Sequence, residues 1–65
     1  MKVSKQQIAE FRQQLENAMR TLNEGGWGIP EAQIKSECYE TSDEHIASII
    51  EDGSTPEKWA EFITQ

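Results

Sequence analysis

Sixty-five residues with 35% apolar side chains and a net charge of −6 restrict the chain to one small domain, 1–65. A chain of this size buries only about 60% of the surface its unfolded form exposes, so its core is thin. A lone cysteine, Cys38, excludes an intrachain disulfide, and Cys38 with His45 offers too few soft ligands for a structural zinc. No apolar run matches a signal peptide or a membrane span, so a cytoplasmic setting without membrane contact is expected.

Val3-Ser4-Lys5-Gln6-Gln7-Ile8 is a complete helix start. Ser4 is spaced to accept from the Gln7 N–H while the Gln7 side chain reaches back to Ser4, which makes a capping box. Val3 and Ile8 are then the two ends of a hydrophobic staple. Ile8, Phe11, Leu15, Ala18 and Leu22 recur at alternating spacings of three and four, an a/d stripe that Met19 widens. Glu16 and Arg20 form an i,i+4 pair in the favourable order. The pattern predicts a helix over about 5–23, stopped by Gly25-Gly26, either of which suits a left-handed cap. Its stripe must be buried, either on the rest of the chain or on a second copy. In the second case Ile8, Phe11, Leu15, Ala18 and Leu22 form a homodimer seam, and the thin core favours such self-association.

Trp27, flanked by glycines, is expected to tuck onto the core, or else to act as an exposed interface anchor. Pro30 suits a first helical position, and a second helix is predicted over about 30–38, with Ala32, Ile34, Cys38 and Tyr39 apolar. Residues 34–39 alternate enough that a short strand competes with it. Thr41 with Glu44 makes another capping box, Ser42 being the alternative cap, and Asp43 and Glu44 suit the positive end of a helix dipole. The third helix is predicted over about 43–52, with Ile46, Ala47, Ile49 and Ile50 inward. Asp52-Gly53 ends it. Thr55 and Pro56 open a fourth over about 56–64, whose apolar side is Trp59, Ala60, Phe62 and Ile63. The expected fold is all-α: a long N-terminal helix with three short helices folded back on it as a small helical bundle. The core is predicted from Ile8, Phe11, Leu15, Ala18, Leu22, Ile34, Ile46, Ile49, Ile50, Trp59, Phe62 and Ile63.

The charge is asymmetric. Residues 1–24 carry Lys2, Lys5, Arg12 and Arg20 against Glu10, Glu16 and Glu24, a balance of +1, whereas residues 25–65 balance at −7 with only Lys35 and Lys58 as cations. A surface of this sign repels nucleic acid and anionic membranes and attracts basic protein faces. Glu37, Glu40, Asp43, Glu44, Glu51 and Asp52 are the candidate partner-binding carboxylates, with Trp27 as a candidate anchor.

Catalytic signatures are missing. Cys38 and His45 are the one nucleophile–base pair, without a third group to orient the imidazole, in a chain too short to enclose a substrate pocket. Cys38, Glu40, Asp43, Glu44 and His45 cluster in sequence without the ligand spacing of a zinc finger or a calcium loop. Gly25-Gly26-Trp27-Gly28 lacks the preceding strand and the Lys-Ser/Thr pair of a phosphate loop. Neither enzymatic activity nor a cofactor or metal is expected.

Residues 34–53 resemble the helix-turn-helix of Cro/C1-type repressors. They have an apolar start at Ile34, a turn near Tyr39-Glu40-Thr41-Ser42, and Ile46 and Ile49 as inner positions. Glu51-Asp52-Gly53-Ser54-Thr55-Pro56 looks like the acidic-x-Gly…Pro stretch that ends that family's recognition helix. The resemblance covers under half the chain, lacks the usual turn glycine, needs a one-residue insertion in the tail and has Lys35 where a small residue is usual. It implies a DNA-binding regulator. A recognition helix opening on Asp43-Glu44-His45, however, sets two carboxylates against the phosphates that supply most of the affinity. The expected function is therefore a non-enzymatic accessory or inhibitory protein that binds another protein, one with a basic or nucleic-acid-binding face. A helix-turn-helix regulator and a structural subunit of a larger assembly are the alternatives.

Overall fold

The computed structural model describes residues 3–64, which form four helices and no strand. Helix α1 spans Lys5–Glu24, α2 spans Glu31–Lys35 and widens into a π-helical turn at Ser36–Glu40, α3 spans Asp43–Glu51, and α4 spans Pro56–Ile63. The expected all-α bundle of one long and three short helices is the observed architecture, and residues 34–39 are helical rather than extended. Each short helix packs on α1, whereas α2, α3 and α4 make no close backbone approach to one another. The molecule is accordingly elongated, 36 × 20 × 16 Å, with α1 as its spine.

The start of α1 follows its local chemistry. Ser4 Oγ accepts from the Gln7 N–H at 3.1 Å and Gln7 Oε1 accepts from the Ser4 N–H at 2.8 Å, closing the capping box. Val3 and Ile8 are both buried in the core. At the other end Gly26, at φ 93°, rather than Gly25, supplies the left-handed residue. Along the helix, Ile8, Phe11, Leu15 and Met19 are buried, while Ala18 and Leu22 are half-buried. The a/d reading is corrected here: an untwisted helix of 3.6 residues per turn drifts about 20° per heptad from a 3.5-residue repeat, which brings Met19 to the centre and moves Ala18 to the flank.

The remaining core comes from Ile29, Ile34, Cys38, Ile46, Ala47, Ile49 and Ala60. One aromatic expectation is overturned: Phe62, predicted to be buried, is 66% exposed. Trp27 is 44% exposed, which sets aside the core reading of that residue and leaves the exposed one. Ala60, fully buried, is the contact point of α4. A small side chain there lets α4 lie close to α1, and a close approach leaves no depth for a second aromatic layer. In the loop after α1, Ile29 takes the place expected of Trp27. The Asn23 side chain donates to the Ile29 carbonyl at 2.9 Å and accepts from the Ile29 N–H. Asn23 thus pairs with that backbone as a neighbouring strand would, and presses Ile29 onto the core.

The caps of the later helices also depart in two details. Ser42 Oγ, not Thr41, accepts from the His45 N–H and opens α3. Thr41 Oγ1 instead donates to the Ser36 and Glu37 carbonyls, closing α2. Pro30 lies one position ahead of α2 as its cap rather than inside it. Thr55 Oγ1 accepts from the Lys58 N–H and opens α4 as expected.

Candidate protein-binding surface

Both arginines are engaged inside the fold. Arg12, on α1, reaches the end of the π-helical turn, where its guanidinium donates to the Cys38 carbonyl at 2.8 Å and the Thr41 carbonyl at 2.6 Å. It also pairs with Asp43 Oδ1 at 2.8 Å. A π-turn leaves its last carbonyls without intrahelical donors, and a cation placed there answers both the hydrogen-bond deficit and the negative end of the dipole. Arg20 is forked between Glu16 and Glu31, each at 2.8 Å, and so ties α1 to the start of α2. The Tyr39 hydroxyl donates to the other Glu16 oxygen. That bond, and then Arg20, hold the Glu16 carboxyl below its ordinary value, and Arg20 does the same for Glu31. Glu16 in turn raises the Tyr39 phenol.

These pairs leave an unbalanced surface. Of the twelve carboxylates in the sequence, only Glu16, Glu31 and Asp43 have a cationic partner among the described residues. The candidate carboxylates occupy the two ends of α3. Glu37 and Glu40 lie on the π-turn beside Asp43 and Glu44 in the first turn of α3, while Glu51 and Asp52 lie at its other end. Glu40, Glu44, Glu51 and Asp52 are exposed, Glu37 is half-buried, and Asp43 is held by Arg12. Trp27 is not part of this group. Its N–H is bonded to the Leu22 carbonyl, about 15 Å along α1 from Arg12 at the helical rise.

Sequence reasoning did not anticipate a further feature, a groove between α1 and α4. Asn17, Ala18, Thr21 and Leu22 face Glu57 and Glu61 across a cleft of about 480 Å³. Gln14 joins this cleft to a shallower one of about 210 Å³ formed by Gln7, Glu10, Phe11 and Ile50. On the opposite flank of α4, Trp59 stacks on Phe62 with ring centroids 5.3 Å apart, and the His45 ring meets Trp59 edge-on at 6.1 Å. The i,i+4 spacing of Glu57 and Glu61 was the available signal for the groove wall. The path of α4 across α1 was not legible.

The residues weighed for chemistry are kept apart. Cys38 is fully buried, with its sulfur 3.9 Å from that of Met19. Burial and the neighbouring carboxylates push its thiol up to about 11, which favours the unreactive protonated form. His45 is exposed beside Trp59 and makes no side-chain hydrogen bond with Cys38 among the described residues. No three His, Cys, Asp or Glu side chains converge as a metal site among those residues, and no helix there is long and apolar enough to cross a membrane. Helices α2 and α3, joined through Thr41 and Ser42 as in the helix-turn-helix resemblance, make no close backbone approach to each other. Of the dimer-seam candidates, Ile8, Phe11 and Leu15 are buried on the chain's own helices, while Ala18 and Leu22 floor the groove. No protein-family model, curated protein or solved structure matches the chain.

Proposed function

We propose that the protein is a non-enzymatic acidic module that binds a basic face of another protein and, where that face serves nucleic acid, competes with it. The observation that carries this reading is the allocation of charge. Both guanidiniums are held by internal carboxylates and carbonyls, which leaves Glu40, Glu44, Glu51 and Asp52 exposed without a cationic partner among the described residues. Unpaired charges of one sign steer a complementary partner and set its orientation. The burial of Ile8, Phe11 and Leu15 in the chain's own core favours a different protein over a second copy as the partner. Glu51 and Asp52 lie at the negative end of α3, where carboxylates oppose helix stability, so their placement is better explained by recognition than by folding.

Affinity capture with the tagged chain from its cell of origin, at low and high salt, tests the proposal beside the E40Q/E44Q/E51Q/D52N variant. Basic proteins retained at low salt should be released at high salt and missed by the variant. Retention indifferent to both changes removes the electrostatic reading. In a parallel gel-shift assay at low salt, where non-specific binding is strongest, the chain alone should not retard DNA.

A further inference from the structure

The groove along α1 has a chemistry of its own. Its floor is apolar, formed by the half-buried side chains of Ala18, Leu22 and Ile50. Every charged residue lining it is a carboxylate: Glu10 at the shallow end, and Glu57 and Glu61 along the α4 wall. None of the three has a cationic partner among the described residues. Glu57 and Glu61 are one helical turn apart, so their side chains leave the same face of α4 with Cβ atoms about 5–6 Å apart. The two clefts meet at Gln14 and run from Gln7 to Leu22, about 22 Å at the helical rise. That length is too great for one compact small molecule.

We infer that this groove takes an amphipathic basic helix of the partner, with aliphatic side chains on the Ala18–Leu22–Ile50 floor and a Lys or Arg pair at i,i+4 against Glu57 and Glu61. The inference rests on the reading of the protein as a binder of basic partners and assigns the docking position. Charge complementarity selects the occupant. A second copy of this chain would bring its own carboxylates to a wall already negative, whereas a helix with cations one turn apart matches the wall in sign and period.

The test is a titration of the full chain with a synthetic helical peptide bearing leucines flanked by arginines four residues apart, read by amide NMR shifts and by affinity at two salt concentrations. Shifts should concentrate at Gln14, Asn17, Thr21 and Glu61. E57K/E61K should weaken binding at least about tenfold, and E57Q/E61Q less. Circular dichroism of each variant checks the fold. Unchanged affinity in E57K/E61K and E57Q/E61Q, or shifts centred elsewhere, overturns the groove assignment. If E44K/E51K then abolishes binding, the acidic-module reading survives without the groove. No binding of the peptide at low salt overturns the groove, and the protein-capture experiment decides the broader reading independently. Spermidine binding as tightly as the peptide would show that the site reads charge alone, and would overturn the amphipathic helix as occupant.

Discussion

The Arg12 guanidinium lies 2.8 Å from the Asp43 carboxylate across 31 positions of sequence, yet the two partners differ in environment. The Arg12 side chain is 12% exposed and that of Asp43 is 61% exposed. Arg12 is also the donor to the Cys38 and Thr41 carbonyls. It is therefore a cap for the end of α2 first and half of an ion pair second.

That ranking has a measurable consequence. Arg12→Ala leaves two helix-end carbonyls without their donor and should cost about 2–4 kcal/mol. Asp43→Asn, which removes only the exposed member, should cost less than about 1 kcal/mol. Arg12→Lys should recover only part of the loss, because an ammonium lacks the fork that reaches both carbonyls. Urea denaturation of the three variants checks the order. Equal costs for Arg12→Ala and Asp43→Asn would mean that the ion pair dominates.

Asn23 is a second, more local fastening, across six positions of sequence. Its amide group makes both bonds to the Ile29 backbone, which holds a glycine-rich loop against the core. Asn23→Ala should cost about 1–3 kcal/mol. Asn23→Asp should be no milder, because it faces the Ile29 carbonyl with a carboxylate. Hydrogen exchange at the Ile29 amide should accelerate in both variants, while exchange at Leu15 follows only the loss of global stability.

Stability should form a plateau in pH, bounded by groups on the α1–α2 side. The carboxyls of Glu16 and Glu31 are lowered in the fold from an ordinary 4.5, so their contribution is present above that value and is lost as pH falls below it. The Cys38 thiol is raised from 9.0 to about 11. Its contribution is present below pH 9 and is lost as pH climbs through about 11, with the raised Tyr39 phenol acting in the same direction. Midpoints measured across this range check both limbs, and Cys38→Ala should flatten part of the alkaline one. In the native protein at pH 8, Cys38 should react with a thiol reagent only through opening of the fold, so its rate should rise with urea.

Glu51 and Asp52 offer a separate check on the proposed role. No basic residue accompanies them in the last turn of α3. E51Q/D52N should raise the thermal midpoint by a few degrees while weakening capture of a basic partner. A fall in the midpoint would show that these carboxylates serve the fold.

The starts of α1, α3 and α4 were legible without a structure because each is made by a hydrogen bond between residues three apart, at Ser4, Ser42 and Thr55. The same is true of the stop at Gly25-Gly26 and of the charge imbalance, which is a count. What the sequence left open were choices between near neighbours: Met19 or Ala18 and Ala60 or Phe62 on the helices, Ile29 or Trp27 in the loop after α1, and Ser42 or Thr41 as the cap of α3. Local periodicity marks a stripe but not its centre line, and the centre line depends on where the partner helix axis lies.

For the candidate surface the division is similar. The sequence alone determined that this protein is a capped, all-α chain with an acidic C-terminal half. Its tertiary structure decided that Arg12 and Arg20 are engaged internally, that Asp43 is taken by one of them, and that the α4 carboxylates Glu57 and Glu61 line a groove on α1. The physical reason is range. Caps and turns form between near neighbours, while the availability of a charge, and the exposure of an aromatic such as Phe62, depend on partners brought together only when the short helices fold onto α1.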